Sequence, residues 1–250
     1  MTRIKRKMKS LQRRLLITAA AAITLTVLAG GIPEELTSLL PSSATVSAPS
    51  APVVPVVPDE QIGSLLDQVR TVEVLPEVDG YDRSCKRGQA CSFGPAWNDP
   101  NDHSGCDTRS RILRSQLEHV SVKPGTQGCK VLSGILVDPY TAETIHFDVS
   151  EPAAVQVDHV FALGRSWDAG AAHWDLPQRV AFANDPLNLI AVGGAINREK
   201  SDSGLTWLPP NPAYRCPYIA RYLTVAVTYG LAITTEERNI AASTCPAVAP

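Results

Sequence analysis

The chain has 250 residues, 44% of them hydrophobic, with 23 Lys and Arg against 25 Asp and Glu. That length suits one globular domain plus extensions. The net charge of −2 argues against the strongly basic footprint of a tight, nonspecific DNA binder.

The charge is unevenly spread. Residues 1–14 hold seven basic side chains (Arg3, Lys5, Arg6, Lys7, Lys9, Arg13 and Arg14) and no acidic one. Residues 15–29 are then apolar or small apart from threonines. A charged start followed by a short apolar run reads as an export signal, or as an N-terminal anchor where it stays uncleaved. Residues 30–74 are rich in Pro, Ala, Ser and Val, with APSAPVVPVVPDE as the extreme. Such a stretch favours extended geometry and predicts a spacer, with a short helix near residues 59–74. The folded domain is predicted over residues 75–250. From residue 80 onward 15 Lys and Arg face 17 Asp and Glu. A near-neutral domain remains compatible with an enzyme that holds phosphates through a metal ion and a few arginines.

Within that domain, residues 84–107 read as loop. Residues 108–119 predict a helix with Ile112, Leu113 and Leu117 on one face. Two β-rich runs, 130–137 and 144–149, flank Asp138-Pro139-Tyr140-Thr141 as a hairpin. Residues 155–159 predict a short strand, followed by a long irregular stretch with a helical turn at 177–183. Residues 187–192 read as β, Gly193-Gly194 as a break and 195–201 as a helix. Residues 213–229 predict a longer helix, and Thr234-Thr235-Glu236-Glu237 a capped helix start. The fold class is α+β with small β-ribbons rather than an alternating βαβ chain.

All six cysteines, Cys85, Cys91, Cys106, Cys129, Cys216 and Cys245, lie in this domain. An even number in an exported chain points to disulfides, and no Cys-x-x-Cys pair suggests a zinc knuckle. Sequence alone does not choose the connectivity. Nearest-neighbour pairing would give Cys85–Cys91, Cys106–Cys129 and Cys216–Cys245.

The chemistry concentrates in two stretches, VDHVFALGRSWDAGA and FANDPLNLIAVGGAINREKSD. Phosphodiester hydrolysis needs a base for water, a cation for the phosphate and a brace for the base. A neutral His suits the first role. An Asp carboxylate and an Asn amide oxygen suit a hard divalent cation. Asp158 and His159 end one strand, where neighbouring side chains point to opposite faces. Asn188 follows 29 residues after His159, Asn197 nine later and Lys200 three after that. Residues three apart share a helix face, so Asn197 and Lys200 can look into one cleft.

This spacing, VDHV…NDPLNL…AINREKSD, resembles the HNH or ββα-metal nuclease motif. Further segments extend the resemblance over nearly all of residues 80–245: YDRSC, FGPAW, GCDTRSRIL, VLSGILVDPYT, RVAFANDPLNL and TWLPP. They are similar to a bacterial family of exported HNH proteins related to the C-terminal domain of GmrSD-type restriction endonucleases. The resemblance implies an HNH core, a β-ribbon plus a short helix, with further helices and disulfide staples. It implies His159 as general base, Asp158 and Asn197 as metal ligands and Asn188 as brace of the loop bearing the base. Lys200 would contact phosphate or support the site. With Asn at the third motif position, the two-ligand site should prefer magnesium or manganese over zinc. Arg109, in GCDTR, is a further candidate as a phosphate clamp, beside Asp107.

The implied substrate is nucleic acid, DNA before RNA, with no stable protein partner and membrane contact only through an uncleaved leader. The implied location is secreted or envelope-anchored, outside the cytoplasm. The competing reading is a non-catalytic, envelope-associated binding protein on the same fold. An unrelated serine hydrolase is disfavoured, because GRSWD carries Asp168 where the nucleophile elbow ends in Gly. His103, His119, His146 and His173 read as structural or surface residues, and the four tryptophans as packing.

Overall fold

The structure is a computed structural model that describes residues 59–246. The leader at 1–29 and the Pro-rich part of the spacer lie outside the described residues. Among the described residues there are seven α-helices and three small sheets. No described helix is long and apolar enough to cross a membrane.

The chain opens with α1 (Asp59–Gln68) and β1 (Arg70–Val72). Helix α1 buries Ile62, Leu65 and Leu66, and Val69 just beyond it joins the same core. Strand β1 pairs in parallel with β7 (Ala232–Thr234). Both elements precede the domain start expected near residue 75. That expectation rested on a composition shift. The folded unit starts earlier because α1 is amphipathic and lays its apolar side on α6 (Pro212–Tyr229).

Helix α2 (Thr108–Gln116) begins at Asp107, whose carboxylate accepts from the Ser110 backbone N–H at 2.7 Å. It is shorter than the sequence suggests. The side chain of Gln116 donates to the Leu189 carbonyl and accepts from the Ala191 N–H. The chain then turns into β2 (Glu118–Val122), a strand the sequence reading assigned partly to helix. β2 pairs with β3 (Val131–Val137), and β3 with β4 (Thr144–Asp148), both antiparallel. The expected hairpin is the β3–β4 pair.

Strand β5 (Val155–His159) pairs antiparallel with β6 (Leu189–Gly193), with Asp158 opposite Ile190 and His159 opposite Leu189. The excursion between them holds α3 (Leu163–Ala169), two 3-10 turns and α4 (Leu176–Asn184). Helix α3 escaped the sequence reading because its first residue follows Ala162, which makes no side-chain cap. Helix α5 (Gly194–Lys200) leaves β6 directly. The β5–β6 ribbon lies between two cores. Val155, Val157, Leu189 and Ala191 pack with Ile112 and Leu113 of α2 and Phe147 of β4. Ile190 and Val192 pack with Ile196 of α5 and the aromatic residues of α6. A strand covered on both faces reads as a continuous apolar run, which is why LIAVG shows no alternation.

The ribbon-to-helix corner depends on glycine. A Cβ on Gly194 would lie 1.9 Å from the Ala153 carbonyl oxygen, while the Gly194 N–H donates to Ala154 at 2.9 Å. Gly194→Ala should therefore destabilise the domain by about 1–3 kcal/mol, the usual range for overpacking against backbone. Denaturant unfolding with the disulfides intact reads this directly.

The fold closes with α7 (Thr235–Thr244), whose first turn carries the expected capping box between Thr234 and Glu237. Glu237 is also buried against Arg165 and Tyr222, tying α7 to α3 and α6. Three disulfides are present: Cys85–Cys91, Cys106–Cys129 and Cys216–Cys245. They follow the nearest-neighbour pairing.

Candidate active site

The site is built at the end of the β5–β6 ribbon, where β5, the turn after it and α5 meet. Asp158 points to the α5 face. There the Lys200 ammonium lies 3.1 Å from Oδ1 and 3.0 Å from Oδ2, and also donates to the His159 carbonyl at 2.9 Å. Lys200 is fully buried. The hydroxyl of Tyr140, from the β3–β4 turn, donates to Asp158 Oδ2 at 2.7 Å. Burial pushes the Asp158 carboxyl up, while the Lys200 charge and the Tyr140 hydrogen bond pull it back toward the ionised form.

Asn197 lies one turn before Lys200 on the same helix face. Its Nδ2 donates to Gln156 Oε1 at 2.8 Å, which leaves Oδ1 available as an oxygen donor. Gln156 is two residues before Asp158 on β5, so it shares that face of the strand.

Asn188 is completely buried in the 3-10 turn before β6. Its Oδ1 accepts from the Phe161 N–H at 2.8 Å and its Nδ2 donates to the Phe161 carbonyl at 3.1 Å. Its own carbonyl accepts from the Val160 N–H. The amide thus clasps the backbone immediately after His159 from both sides.

The His159 ring lies on the opposite face of β5. Nε2 is 2.9 Å from the Ala183 carbonyl oxygen. Ala183 is in the last turn of α4, where carbonyls have no intrahelical partner. A carbonyl can only accept, so Nε2 carries the proton and Nδ1 keeps its lone pair. The indole of Trp97 stacks on the imidazole at 5.9 Å between centroids and 12° between planes. Burial lowers the His159 pKa to about 3, and the charges of Arg83 and Lys200 act in the same direction against the Ala183 bond. At neutral pH the imidazole is therefore the uncharged, proton-accepting form.

Asp158, His159 and Asn197 together line a cleft of about 360 Å³. Tyr81, Arg83, Arg198 and Asp202 are also in its lining. Arg109 stands elsewhere. Its guanidinium donates to the carbonyls of Pro152 and Val155, where it fastens α2 to the start of β5, and it does not line the cleft.

Among the described residues no group of three His, Cys, Asp or Glu side chains is arranged to hold a metal ion. The oxygen donors that line the cleft include the carboxylates of Asp158 and Asp202 and the amide of Asn197. That set fits a hard divalent cation completed by water and phosphate, and does not fit a zinc cage.

Residues 107–242 match the family of GmrSD restriction endonucleases, C-terminal domain. The chain belongs to that family. A relative among curated proteins, an uncharacterized secreted protein of the fungus Arthroderma benhamiae, is 33% identical over 203 residues, covering 79% of this chain and 91% of that protein. The bacterial setting implied by the sequence resemblance is thus not carried by this relative. No solved structure matches the chain. The GmrSD C-terminal match contains Asp158, His159, Asn188, Asn197 and Lys200, and also Tyr140 and Gln156. It stops short of Arg83 and Trp97 and of four of the six cysteines, Cys85, Cys91, Cys106 and Cys245. Each disulfide of this GmrSD-type domain therefore has at least one end outside the matched stretch.

Proposed function

We propose that the chain is an exported, metal-dependent endonuclease of the HNH or ββα-metal type, hydrolysing phosphodiester bonds of nucleic acid, DNA before RNA. The observation that carries this reading is the His159 imidazole. It is neutral, it has its Nε2 proton fixed on the Ala183 carbonyl, and it lines one cleft with Asp158 and Asn197. In this reading Nδ1 accepts the proton of the attacking water. Asn188 and Trp97 fix the base, one through the backbone after it and the other through its ring face. Lys200 and Tyr140 oppose the burial that raises the Asp158 carboxyl and hold its oxygens in place. A magnesium or manganese ion held by Asp158 and Asn197 would supply charge stabilisation for the phosphate and the leaving oxygen. The basic leader, the three disulfides and the secreted relative support an extracytoplasmic location.

The near-neutral charge of the domain favours a second reading, a binding protein that keeps the fold without the chemistry. Plasmid cleavage separates the two. The oxidised protein with magnesium or manganese should nick or linearise plasmid DNA. EDTA and His159→Ala should each reduce cleavage to the level of a blank. If folded protein leaves plasmid, single strands and RNA intact with both metals, the nuclease reading fails and the binding reading stands.

A further inference from the structure

Arg83 occupies an unusual position. It lines the cleft, and it also lines a small recess of about 50 Å³ on the Trp97 side of His159. Only His159 and Leu163 share that double position with it. Arg83 and His159 thus line the same two hollows. Several arginines of the domain are engaged in holding the fold: Arg109, Arg165, Arg179 and Arg221 all bind carbonyls or carboxylates. Among the described residues the guanidinium of Arg83 makes no ion pair and no hydrogen bond. An exposed cation with no internal partner, lining a cleft, has its five donors available to an anion.

The backbone around it is fixed. The Asp82 carboxylate accepts from the N–H groups of Ser84 at 2.9 Å and Ala90 at 3.2 Å. Backbone bonds join Cys91 to Ser84 and Ser92 to Asp82. Cys85–Cys91 closes the loop covalently. Tyr81 and Phe93 then seat its base against Trp167 of α3. Arg83 is therefore a long side chain on an immobilised root, which lowers the ordering entropy of binding.

We propose that Arg83, presented by the Cys85–Cys91 loop, binds a phosphate of the nucleic-acid backbone in the cleft beside His159. This rests on the nuclease reading and adds to it a binding residue that lies outside the family match. Guanidinium and phosphate pair through two parallel charge-assisted bonds. Arg198, next to Asn197, also lines the cleft and gives it a second cation, beside the Asp202 carboxylate.

The test is binding of a fluorescent oligonucleotide to the full oxidised protein in EDTA, by anisotropy across a salt series. Arg83→Gln should weaken binding about tenfold, as expected for one lost charge-assisted contact. It should also reduce the slope of log K against log salt by about 1. Arg83→Lys should recover only part of the loss, because ammonium cannot bind bidentately. Arg87→Gln removes the same charge from the same loop but away from the cleft, and should leave affinity unchanged. Cys85→Ser with Cys91→Ser should weaken binding in the same direction, by less than Arg83→Gln. Unchanged affinity and slope in Arg83→Gln, or an equal loss in Arg87→Gln, would overturn the assignment. Wild-type binding beside such a result leaves the nuclease reading standing. Wild-type protein that neither binds nor cleaves any nucleic acid removes both.

Discussion

Lys200→Met should lower the unfolding free energy by about 3–5 kcal/mol, the usual result of removing one partner of a buried ion pair. The reason is the carboxylate left behind. Asp158 is 5% exposed, and Lys200 is its only cationic partner among the described residues. Methionine fills nearly the same volume, so a cavity does not account for the loss. The His159 carbonyl also loses its donor, and an unsatisfied buried acceptor adds to the effect. The check is a double-mutant cycle in denaturant with the disulfides intact. Adding Asp158→Asn to Lys200→Met removes the unpaired charge while keeping a group that can accept from Tyr140. The double variant should regain most of the lost stability. If it is as unstable as the single one, or if Lys200→Met is as stable as the native chain, the pair is not the energetic unit described.

The same pair shows why part of the site could be read from the sequence and part could not. Asp158, His159, Asn188, Asn197 and Lys200 sit in two short stretches, and their spacing carries the geometry. A strand end puts Asp158 and His159 on opposite faces, and a helical turn puts Asn197 and Lys200 on one. Tyr140 and Gln156 carried no such sign. Tyr140 reads as a turn residue, and only the packing of the β3–β4 corner against α6 brings its hydroxyl to Asp158. Trp97 reads as core, and reaches His159 from 62 positions away. Arg109 was legible as a charge beside a motif, but which oxygens it would meet depended on where β5 starts.

The fold divides in a similar way. Elements with local markers were visible: the β3–β4 pair around Asp138-Pro139, the length of α6, the capping box of α7. Those without markers were not. Strand β2 follows α2 with no breaker between them, and α3 has no capping side chain. Helix α1 has an apolar side, but it follows the Pro-rich spacer directly, and that it belongs to the core becomes plain only where that side meets α6. Disulfide order was readable only because the fold happens to pair neighbours.

Acid should destabilise the domain through His159, starting well above the carboxylate range. Folding lowers the pKa of this group from 6.5 to about 3. Its contribution is therefore fully present above pH 6.5 and is lost as pH falls from 6.5 toward 3, because only the unfolded chain takes up the proton there. The slope is about 1.4 kcal/mol per pH unit, so roughly 2 kcal/mol should disappear between pH 6.5 and 5. The ring is 7% exposed, so solvent screens little of this. Glu237, held low by burial-resisting bonds to Arg165 and Thr234, contributes its own loss only below that window. Urea midpoints at pH 7, 6 and 5 isolate the histidine. The native chain should weaken more steeply than His159→Gln over the same range; the difference belongs to the histidine, because Asp158, whose carboxyl burial raises, is common to both. Parallel curves for the two proteins would mean that His159 is not buried as a neutral base. The acid sensitivity and the proposed chemistry have one origin: burying the imidazole against Ala183 and Trp97 keeps Nδ1 unprotonated near neutrality, and the same desolvation disfavours the charged ring.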